Sequence, residues 1–211
     1  MRERVGLLGG TFDPIHVGHL ALARAAIVAL RLDRVVLLPT GQPWQKPGLT
    51  TAGADRLEMA RRAIAGDARL SVDDLELRRP GRTYTIDTLA QLRAAHGAQP
   101  LLAWVMGSDQ LRNLPSWRRW RELFDHAHLA VTQRERVPLS GLPDEVEALV
   151  AERGADALPD APAGSIVFFR MPPVPVSATA IRAQLASKQR PDGLVPPSVL
   201  DYIDQHHLYG T

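Results

Sequence analysis

Short runs of consecutive aliphatic residues recur along the chain and predict β-strands. Runs of this kind, without the polar alternation of a half-exposed sheet, are typical of strands covered on both faces in a parallel sheet. Five runs have this character, at residues 4–8, 34–38, 101–106, 128–132 and 165–170. We therefore expect a buried parallel sheet.

Segments with apolar residues three and four positions apart separate these runs and predict helices. Leu20, Ala23 and Ile27, for example, would share one face of the first helix. The predicted helices span residues 18–30, 55–65, 85–96 (closed by Gly97), 117–124, 143–153, 177–187 and 197–207. This alternation indicates an α/β fold, a doubly wound, Rossmann-like parallel sheet flanked by helices.

One domain accounts for the whole length, residues 1–211, because a chain with 45% hydrophobic residues can form one substantial core. We divide it into a Rossmann-like core, residues 1–170, and a small C-terminal helical portion, residues 171–211. Residues 40–53 contain several Pro and Gly and are expected to form a mobile surface loop. Residues 154–164 are expected to form a connection.

Composition excludes several classes of chemistry. The chain has no cysteine, so disulfides, thiolate metal sites and cysteine nucleophiles are ruled out. No apolar run is long enough to span a bilayer, and a cytoplasmic protein is expected. The formal net charge is only +2 and the arginines are spread along the chain, so neither a nucleic-acid partner nor a membrane partner is predicted.

The clearest candidate for chemistry follows the first strand. Gly9, Gly10 and Thr11 lead towards a helix that starts near Val17, where backbone N–H groups and a helix N-terminus attract phosphate. Neither the dinucleotide-binding pattern G-x-G-x-x-G nor the P-loop pattern G-x-x-x-x-G-K-[ST] is present. These residues therefore predict an anion site at the turn.

Two histidines, His16 and His19, stand three residues apart at the start of that helix. They project to one side, and Gly18 is expected to leave room for a ligand between them, so the pair suits a triphosphate. Capping, core packing and metal ligation are alternative interpretations of such a pair. Nucleotidyl transfer to an ionised phosphate requires alignment and charge stabilisation, which histidine, arginine and backbone N–H groups supply.

A second polar segment follows the last predicted strand. Ser177 is placed to cap a helix whose first turns contain Thr179 and Arg182. Because the carboxyl ends of parallel strands lie on one rim of a sheet, Arg182 is expected to reach the same phosphates as the histidines. A capped helix with a solvated arginine is the alternative.

These two segments resemble the nucleotidyltransferase superfamily that carries HxGH and SxTxxR motifs. Residues 9–14, Gly-Gly-Thr-Phe-Asp-Pro, precede the first motif at residues 16–19, and residues 177–182 form the second. Three further stretches resemble bacterial nicotinate-nucleotide adenylyltransferases. They are residues 82–89, residues 107–111 with Trp117, and residues 194–196 with Tyr202, Ile203, Leu208 and Tyr209.

The resemblance implies transfer of the adenylyl group of ATP to nicotinate mononucleotide, giving deamido-NAD and pyrophosphate, with Mg²⁺ carried by ATP and no resident metal. It implies catalytic roles for His16, His19 and Arg182. The implied ATP-binding residues are Gly9, Gly10, Thr11, Phe12, His16, Gly18, His19, Gly107, Asp109, Ser177, Thr179 and Arg182. The implied acceptor-binding residues are Lys46, Tyr84, Thr85, Asp109 and Trp117.

Packing offers alternatives for some of these residues, with Tyr84 and Thr85 as a helix cap and Trp117 as a core aromatic. The sequence also departs from its relatives, which usually carry Pro-Pro-His-Lys or Pro-Pro-His-Arg where Trp44 and Gln45 stand here, so no imidazole acts at that position. We expect no catalytic or metal-binding role for the other histidines or for the acidic residues 73, 74 and 76. We expect structural or surface roles for His126, His128, His206 and His207, and a solvated strand edge at Asp73, Asp74 and Glu76.

Two other functions are compatible with parts of this pattern. The first is an enzyme of the same fold that acts on a different acceptor: nicotinamide mononucleotide, pantetheine phosphate or another phosphorylated compound. A nucleotide-sensing or nucleic-acid-binding module without catalysis is the second alternative, and the complete set of motif histidines and arginine argues against it.

Overall fold

The structure of the chain is a computed structural model that describes residues 2–43, 51–133 and 141–211. Its strands are β1 (Arg4–Gly10), β2 (Arg34–Pro39), β3 (Gln42–Pro43), β4 (Leu70–Val72), β5 (Arg82–Thr83), β6 (Leu101–Gly107), β7 (His128–Gln133), β8 (Gly154–Ala155) and β9 (Ile166–Arg170). Each of the five predicted strands is present, with its ends within two residues of the expected ones. The aliphatic runs therefore located the buried strands correctly.

The sheet confirms the predicted Rossmann-like architecture. Its seven strands have the order β4-β2-β1-β6-β7-β9-β8. Pairing is parallel between β1 and β6, β6 and β7, β7 and β9, and β8 and β9. Every residue of β6 is buried, as expected for a strand covered on both faces. A separate parallel pair is formed by β3 and β5.

The helices follow the predicted alternation with the strands. They are α1 (Val17–Ala29), α2 (Gly53–Ala63), α3 (Leu75–Arg78), α4 (Thr85–His96), α5 (Ser108–Arg112), α6 (Asp144–Arg153), α7 (Ala178–Ala186) and α8 (Pro197–Gln205). The bounds of α4 are those predicted, and Gly97 ends it with φ 65°, a conformation that glycine adopts at little cost. Three 3-10 turns are Leu114–Ser116, Trp120–Asp125 and Leu208–Gly210.

The helix predicted at residues 117–124 is present only in part, as the 3-10 turn Trp120–Asp125, and does not include Trp117. Arg119 adopts φ 50° and ψ 40°, a left-handed conformation that cannot continue a right-handed helix. Trp117 instead has an extended backbone after the 3-10 turn Leu114–Ser116 and is half-exposed. Trp120 is buried, which agrees with a core role for that residue.

The expectation of a solvated strand edge is wrong at Glu76, and the expected connection at residues 154–164 is present with one added strand. Glu76 belongs to α3 rather than to a solvated strand edge, and only 3% of its surface is exposed. The connection at residues 154–164 begins with β8, which pairs with β9. Within the expected loop 40–53, residues 42 and 43 form β3, and residues 44–50 lie outside the described residues.

The chain divides into two compact units. The first consists of Met1–Leu8, Leu22–Val36 and Tyr84–Pro173, and the second of Gly9–Ala21, Leu37–Thr83 and Val174–Thr211. Core residues of the first unit include Leu101, Ala103, Leu129, Ala130, Val131 and Ile166. Core residues of the second unit include Phe12, Ile15, Leu37, Met59, Ile181 and Ile203. The division of a single domain at residue 170 stays a prediction.

No helix in the described part of the chain has the length and apolar character needed to cross a membrane. The cytoplasmic location stays a prediction.

His128 is a structural histidine inside the first unit, with none of its surface exposed. Its Nδ1 accepts a hydrogen bond from the Ser165 N–H at 3.0 Å, and its Nε2 lies 2.9 Å from the Ala161 carbonyl oxygen. One accepting and one donating nitrogen define the neutral ring. Burial lowers the pKa of this imidazole, and the positive charges of Arg93 and Arg4 act in the same direction.

We expect this histidine to weaken the fold as the pH falls. Below about pH 6.5 an unfolded histidine binds a proton that the folded His128 does not, so the free energy of unfolding falls with pH by up to about 1.4 kcal/mol per unit. The loss continues down to the lowered pKa of the folded state. Urea unfolding between pH 7.5 and 5 measures this slope, and His128→Gln should reduce it.

His96→Gln is the matched control, because His96 is exposed at the end of α4. This variant should keep the pH slope of the parent chain. An unchanged slope in His128→Gln would contradict the assignment of a neutral, buried ring.

Candidate active site

Residues 9–16 lead from the end of β1 to α1 and are called the phosphate loop, after the anion site that the sequence predicts there. Gly9 and Gly10 extend β1 instead of beginning the turn, and the Gly10 carbonyl accepts a hydrogen bond from the Thr40 N–H at 2.8 Å. A Cβ on Gly10 would lie 2.8 Å from the ring of Phe12, so glycine makes room for that ring. Phe12 is fully buried and has φ 49°, which redirects the chain towards α1.

The two motif histidines pack against each other at the start of α1. The rings of His16 and His19 stack with 3.7 Å between centroids and 21° between planes, so both project to one side as predicted. The His16 N–H donates to Nδ1 of His19 at 3.2 Å, which leaves the ring proton of a neutral His19 on Nε2. The edge of the Phe12 ring meets His19 at 5.0 Å and 85°. These contacts fix the orientation of both rings.

Gly18 has a different role from the one expected. The stacked rings of His16 and His19 leave no gap for a ligand between them. A Cβ on Gly18 would instead lie 2.8 Å from Val176 Cγ1 and 3.1 Å from His16 Nδ1. Glycine at this position therefore allows the residue preceding the second motif to pack against the first.

The second motif lies beside the phosphate loop within the same unit. Ser177 caps α7, since its Oγ accepts a hydrogen bond from the Ala180 N–H at 3.2 Å. Arg182 Nη1 donates to the carbonyl oxygen of Asp13 at 2.6 Å. Thr179, in the first turn of α7, is exposed. Arg182 of α7 thus binds the loop that precedes α1, and it is not the solvated arginine of the alternative interpretation.

In the first unit, Asp109 stands at the carboxyl end of β6. It is exposed in the first turn of α5, directly after the buried Ser108. A Cβ on Gly107 would come within 2.3 Å of Asp109 Oδ1, so glycine lets the carboxylate fold back over the strand end. This is the place where ligands bind in open α/β sheets.

Tyr84 and Trp117, the aromatic candidates of the first unit, belong to two segments that contact each other through adjacent residues. The guanidinium carbon of Arg118 lies 4.8 Å from the centroid of the Tyr84 ring, and Arg119 Nη1 lies 4.0 Å from Asp87 Oδ1. The start of α4 and the Trp117 segment are therefore adjacent. Tyr84 is the N-cap residue of α4 in position only, because its side chain makes no capping hydrogen bond.

Lys46, Trp44 and Gln45 lie outside the described residues. In the described part of the chain, no group of three or more His, Asp or Glu side chains is arranged to hold a metal ion.

Comparison with known proteins identifies the family of the chain. Residues 7–184 match the cytidylyltransferase-like family. A Chromobacterium violaceum protein named probable nicotinate-nucleotide adenylyltransferase is 44% identical over 211 residues, covering 99% of this chain and 100% of its own. A Pseudomonas entomophila protein of the same name is 46% identical over 210 residues, covering 98% and 95%. The chain belongs to the nicotinate-nucleotide adenylyltransferases, within the cytidylyltransferase-like family.

Membership of this family makes the chain a nucleotidyltransferase.

A solved structure has the same fold as this chain. Nicotinic acid mononucleotide adenylyltransferase of Plasmodium falciparum, in complex with NaAD, matches with a TM-score of 0.75 over 98% of this chain and 97% of that chain, at 17% identity. At this identity the likeness concerns the fold alone.

Arg56 is a buried residue that the sequence analysis did not single out. Only 1% of its surface is exposed, and its guanidinium donates to the carbonyl oxygens of Thr11 (2.8 Å), Gly41 (3.3 Å) and Thr51 (3.3 Å). Burial lowers the pKa of this guanidinium, while the charge of Asp13 opposes the effect. Arg56 therefore ties the phosphate loop to both ends of residues 41–51.

The sequence held one signal for this role. Arg56 is three and four positions before Met59 and Ala60, which are fully buried, and so it occupies the apolar face of α2. An arginine on such a face requires buried acceptors. The spacing of Arg56 from Met59 and Ala60 does not identify the acceptors as carbonyl oxygens of loops.

Replacing Arg56 should destabilise the chain strongly. Arg56→Met keeps much of the volume but removes the donors of three carbonyl groups, and we expect the free energy of unfolding to fall by about 3 kcal/mol. Arg61→Met, an exposed arginine on the same helix, is the control and should change it by less than about 0.5 kcal/mol. Urea unfolding compares the two variants. Equal losses would show that the carbonyl contacts of Arg56 add nothing.

Proposed function

We propose that the chain transfers the adenylyl group of ATP to nicotinate mononucleotide, giving deamido-NAD and pyrophosphate. The observation that carries this proposal is the contact of Arg182 with Asp13, which joins the second motif to the loop of His16 and His19. Relatives 44% and 46% identical over nearly the whole chain bear the corresponding name.

The proposed chemistry is a single displacement at phosphorus. An oxygen of the acceptor 5′-phosphate attacks the α-phosphorus of ATP in line, the bond from this phosphorus to the oxygen bridging to the β-phosphate breaks, and pyrophosphate leaves with the bonding pair. Because the attacking phosphate is already ionised at neutral pH, no general base is required. The protein contributes alignment and stabilisation of negative charge.

His16, His19 and Arg182 are the groups proposed to stabilise that charge. They stand at the N-terminus of α1 or adjacent to it, where the helix dipole also favours anions. Backbone N–H groups at residues 9–12 and at Gly18, with the hydroxyl groups of Ser177 and Thr179, are proposed to complete the triphosphate site. Mg²⁺ enters with ATP as part of the substrate, bound to phosphate oxygens.

The acceptor side is proposed to use residues of the first unit. The face of Trp117 suits stacking on the pyridine ring, and the residue is half-exposed. Thr85 and the backbone N–H groups at the start of α4 suit the carboxylate, because the first N–H groups of a helix lack partners within the helix. Asp109, after Gly107, suits ribose hydroxyl groups.

The acceptor assignment predicts a selectivity that one assay can measure. With Mg-ATP, purified protein should release pyrophosphate with nicotinate mononucleotide at a kcat/KM at least about tenfold above that with nicotinamide mononucleotide, since donors placed for a carboxylate match an amide poorly. Pantetheine phosphate should give no pyrophosphate. Preference for either alternative acceptor would contradict the proposed substrate.

His19→Ala tests the charge-stabilising role. We expect kcat to fall by roughly 10²-fold or more, as on removal of one contact that strengthens in the transition state. His96→Ala, which removes an exposed imidazole at the end of α4, should leave kcat unchanged. Steady-state kinetics with pyrophosphate detection compare the two. Equal rates for both variants would remove His19 from the reaction.

A further inference from the structure

A tyrosine far along the sequence contacts the phosphate loop. The hydroxyl of Tyr209, in the turn Leu208–Gly210, donates to Asp13 Oδ1 with 2.6 Å between the oxygens. Asp13 lies in the phosphate loop and is 3% exposed. We propose that Tyr209 is a positioning residue that holds this loop in the shape that binds the triphosphate of ATP, an inference that rests on the proposed function.

Asp13 accepts hydrogen bonds both at its side chain and at its backbone. Its carboxylate accepts the hydrogen bond from Tyr209, and its carbonyl oxygen accepts the hydrogen bond from Arg182 at 2.6 Å. His16 follows three residues later along the same loop. A shift of Asp13 would therefore move the acceptor of Arg182 and the chain leading to His16 together. Tyr209 acts on the triphosphate site through Asp13.

The same hydroxyl group reaches a second segment. The side chain of Thr51 also hydrogen-bonds Tyr209. The Thr51 carbonyl in turn accepts from Arg56, which donates to the Thr11 carbonyl at 2.8 Å. The phenol of Tyr209 thus stands in one network with the phosphate loop and with the segment that leads into α2.

The backbone around Tyr209 has a conformation that most residues avoid. His207 has φ 50° and Tyr209 has φ 61°, both in the left-handed region that is unfavourable for residues with a Cβ. A hydrogen bond from Thr211 Oγ1 to the Leu208 carbonyl, 3.1 Å long, supports the turn. Left-handed residues of this kind persist where the surrounding contacts determine them, and such places are often functional. Here the contact is with Asp13.

The hydroxyl of Tyr209 remains a donor throughout the neutral pH range. Burial raises the pKa of this phenol, and the hydrogen bond to Asp13 raises it further. Because the Asp13 carboxylate is buried, water replaces a lost donor poorly. Tyr209→Phe removes only the oxygen and keeps the ring.

Tyr202→Phe provides a matched control within the same unit. Tyr202 is 6% exposed, and its hydroxyl donates to Asp55 Oδ1 at 2.8 Å, so this substitution also removes one part-buried phenol-to-carboxylate hydrogen bond. Burial raises the pKa of Tyr202 to about 12, with a further contribution from Asp55. The two variants should lose comparable thermal stability. They should differ in nucleotide binding.

Binding is measured by calorimetry with Mg²⁺ and an ATP analogue that has a methylene group between the α- and β-phosphorus atoms. We expect Kd to rise about tenfold in Tyr209→Phe, the effect of one lost hydrogen bond to a charged group, and to stay at the parent value in Tyr202→Phe. Unchanged binding by Tyr209→Phe, or an equal loss in both variants, would overturn the inference.

A double substitution tests whether Tyr209 acts through Asp13. In the Asp13→Ala background, Tyr209→Phe should cause no additional change in Kd, because the carboxylate that it contacts is already gone. A further tenfold loss in the double variant would overturn the inference. Circular dichroism of each variant verifies that the fold is retained, and Asp13→Asn, which keeps an acceptor oxygen, serves in place of Asp13→Ala if that variant unfolds. With Asn, the Tyr209→Phe effect should persist but shrink, and full additivity would again contradict the coupling.

Failure of this inference is distinguishable from failure of the proposed function. Pyrophosphate release by the parent chain with nicotinate mononucleotide tests the function alone. If the parent chain is active and Tyr209→Phe binds the analogue normally, only the role of Tyr209 is wrong. If the parent chain releases no pyrophosphate, the analogue Kd of the two tyrosine variants still tests Tyr209.

Discussion

The hydrogen bond from Arg182 to the carbonyl oxygen of Asp13 is the contact on which the candidate site depends. It spans 169 positions of sequence and joins two motifs that would be ordinary helix starts in isolation. Two imidazole rings at a helix N-terminus favour anions in general, whereas an arginine fixed beside them adds a donor that suits phosphate geometry. This combination is the basis on which a triphosphate, and not only a simple anion, is proposed as the ligand.

The phosphate loop keeps its shape because buried polar groups hold it from several directions. Arg56 donates to Thr11 and Tyr209 donates to Asp13, so the loop is supported by α2 and by the turn Leu208–Gly210. Each contact replaces water with a protein partner at a group that would be costly to bury alone. Packing adds to this, since Phe12 fills the space that Gly10 leaves. A loop held in advance loses little freedom when a nucleotide binds.

Local patterns predicted the fold well where the packing is regular. The five aliphatic runs became strands, and α4 has its expected ends because Gly97 stops the helix locally. The predictions fail where the local structure depends on a distant contact or on the backbone conformation of a single residue. Arg119 breaks the helix expected around Trp117 with a left-handed conformation that residues other than glycine seldom adopt. Glu76 is buried beside the positive charge of Arg56, and this pairing has no periodic signature.

The sequence alone determined the fold class, the positions of the two motifs and the family, because hydrophobic periodicity and motif spacing are local properties. Only the tertiary structure decided how the motif residues are used. In the folded chain His16 stacks on His19, and Val176 packs against Gly18. Arg56 and Tyr209 donate hydrogen bonds to the phosphate loop. These contacts join residues far apart in sequence, and their energy comes from buried partners that become neighbours only after the chain has folded.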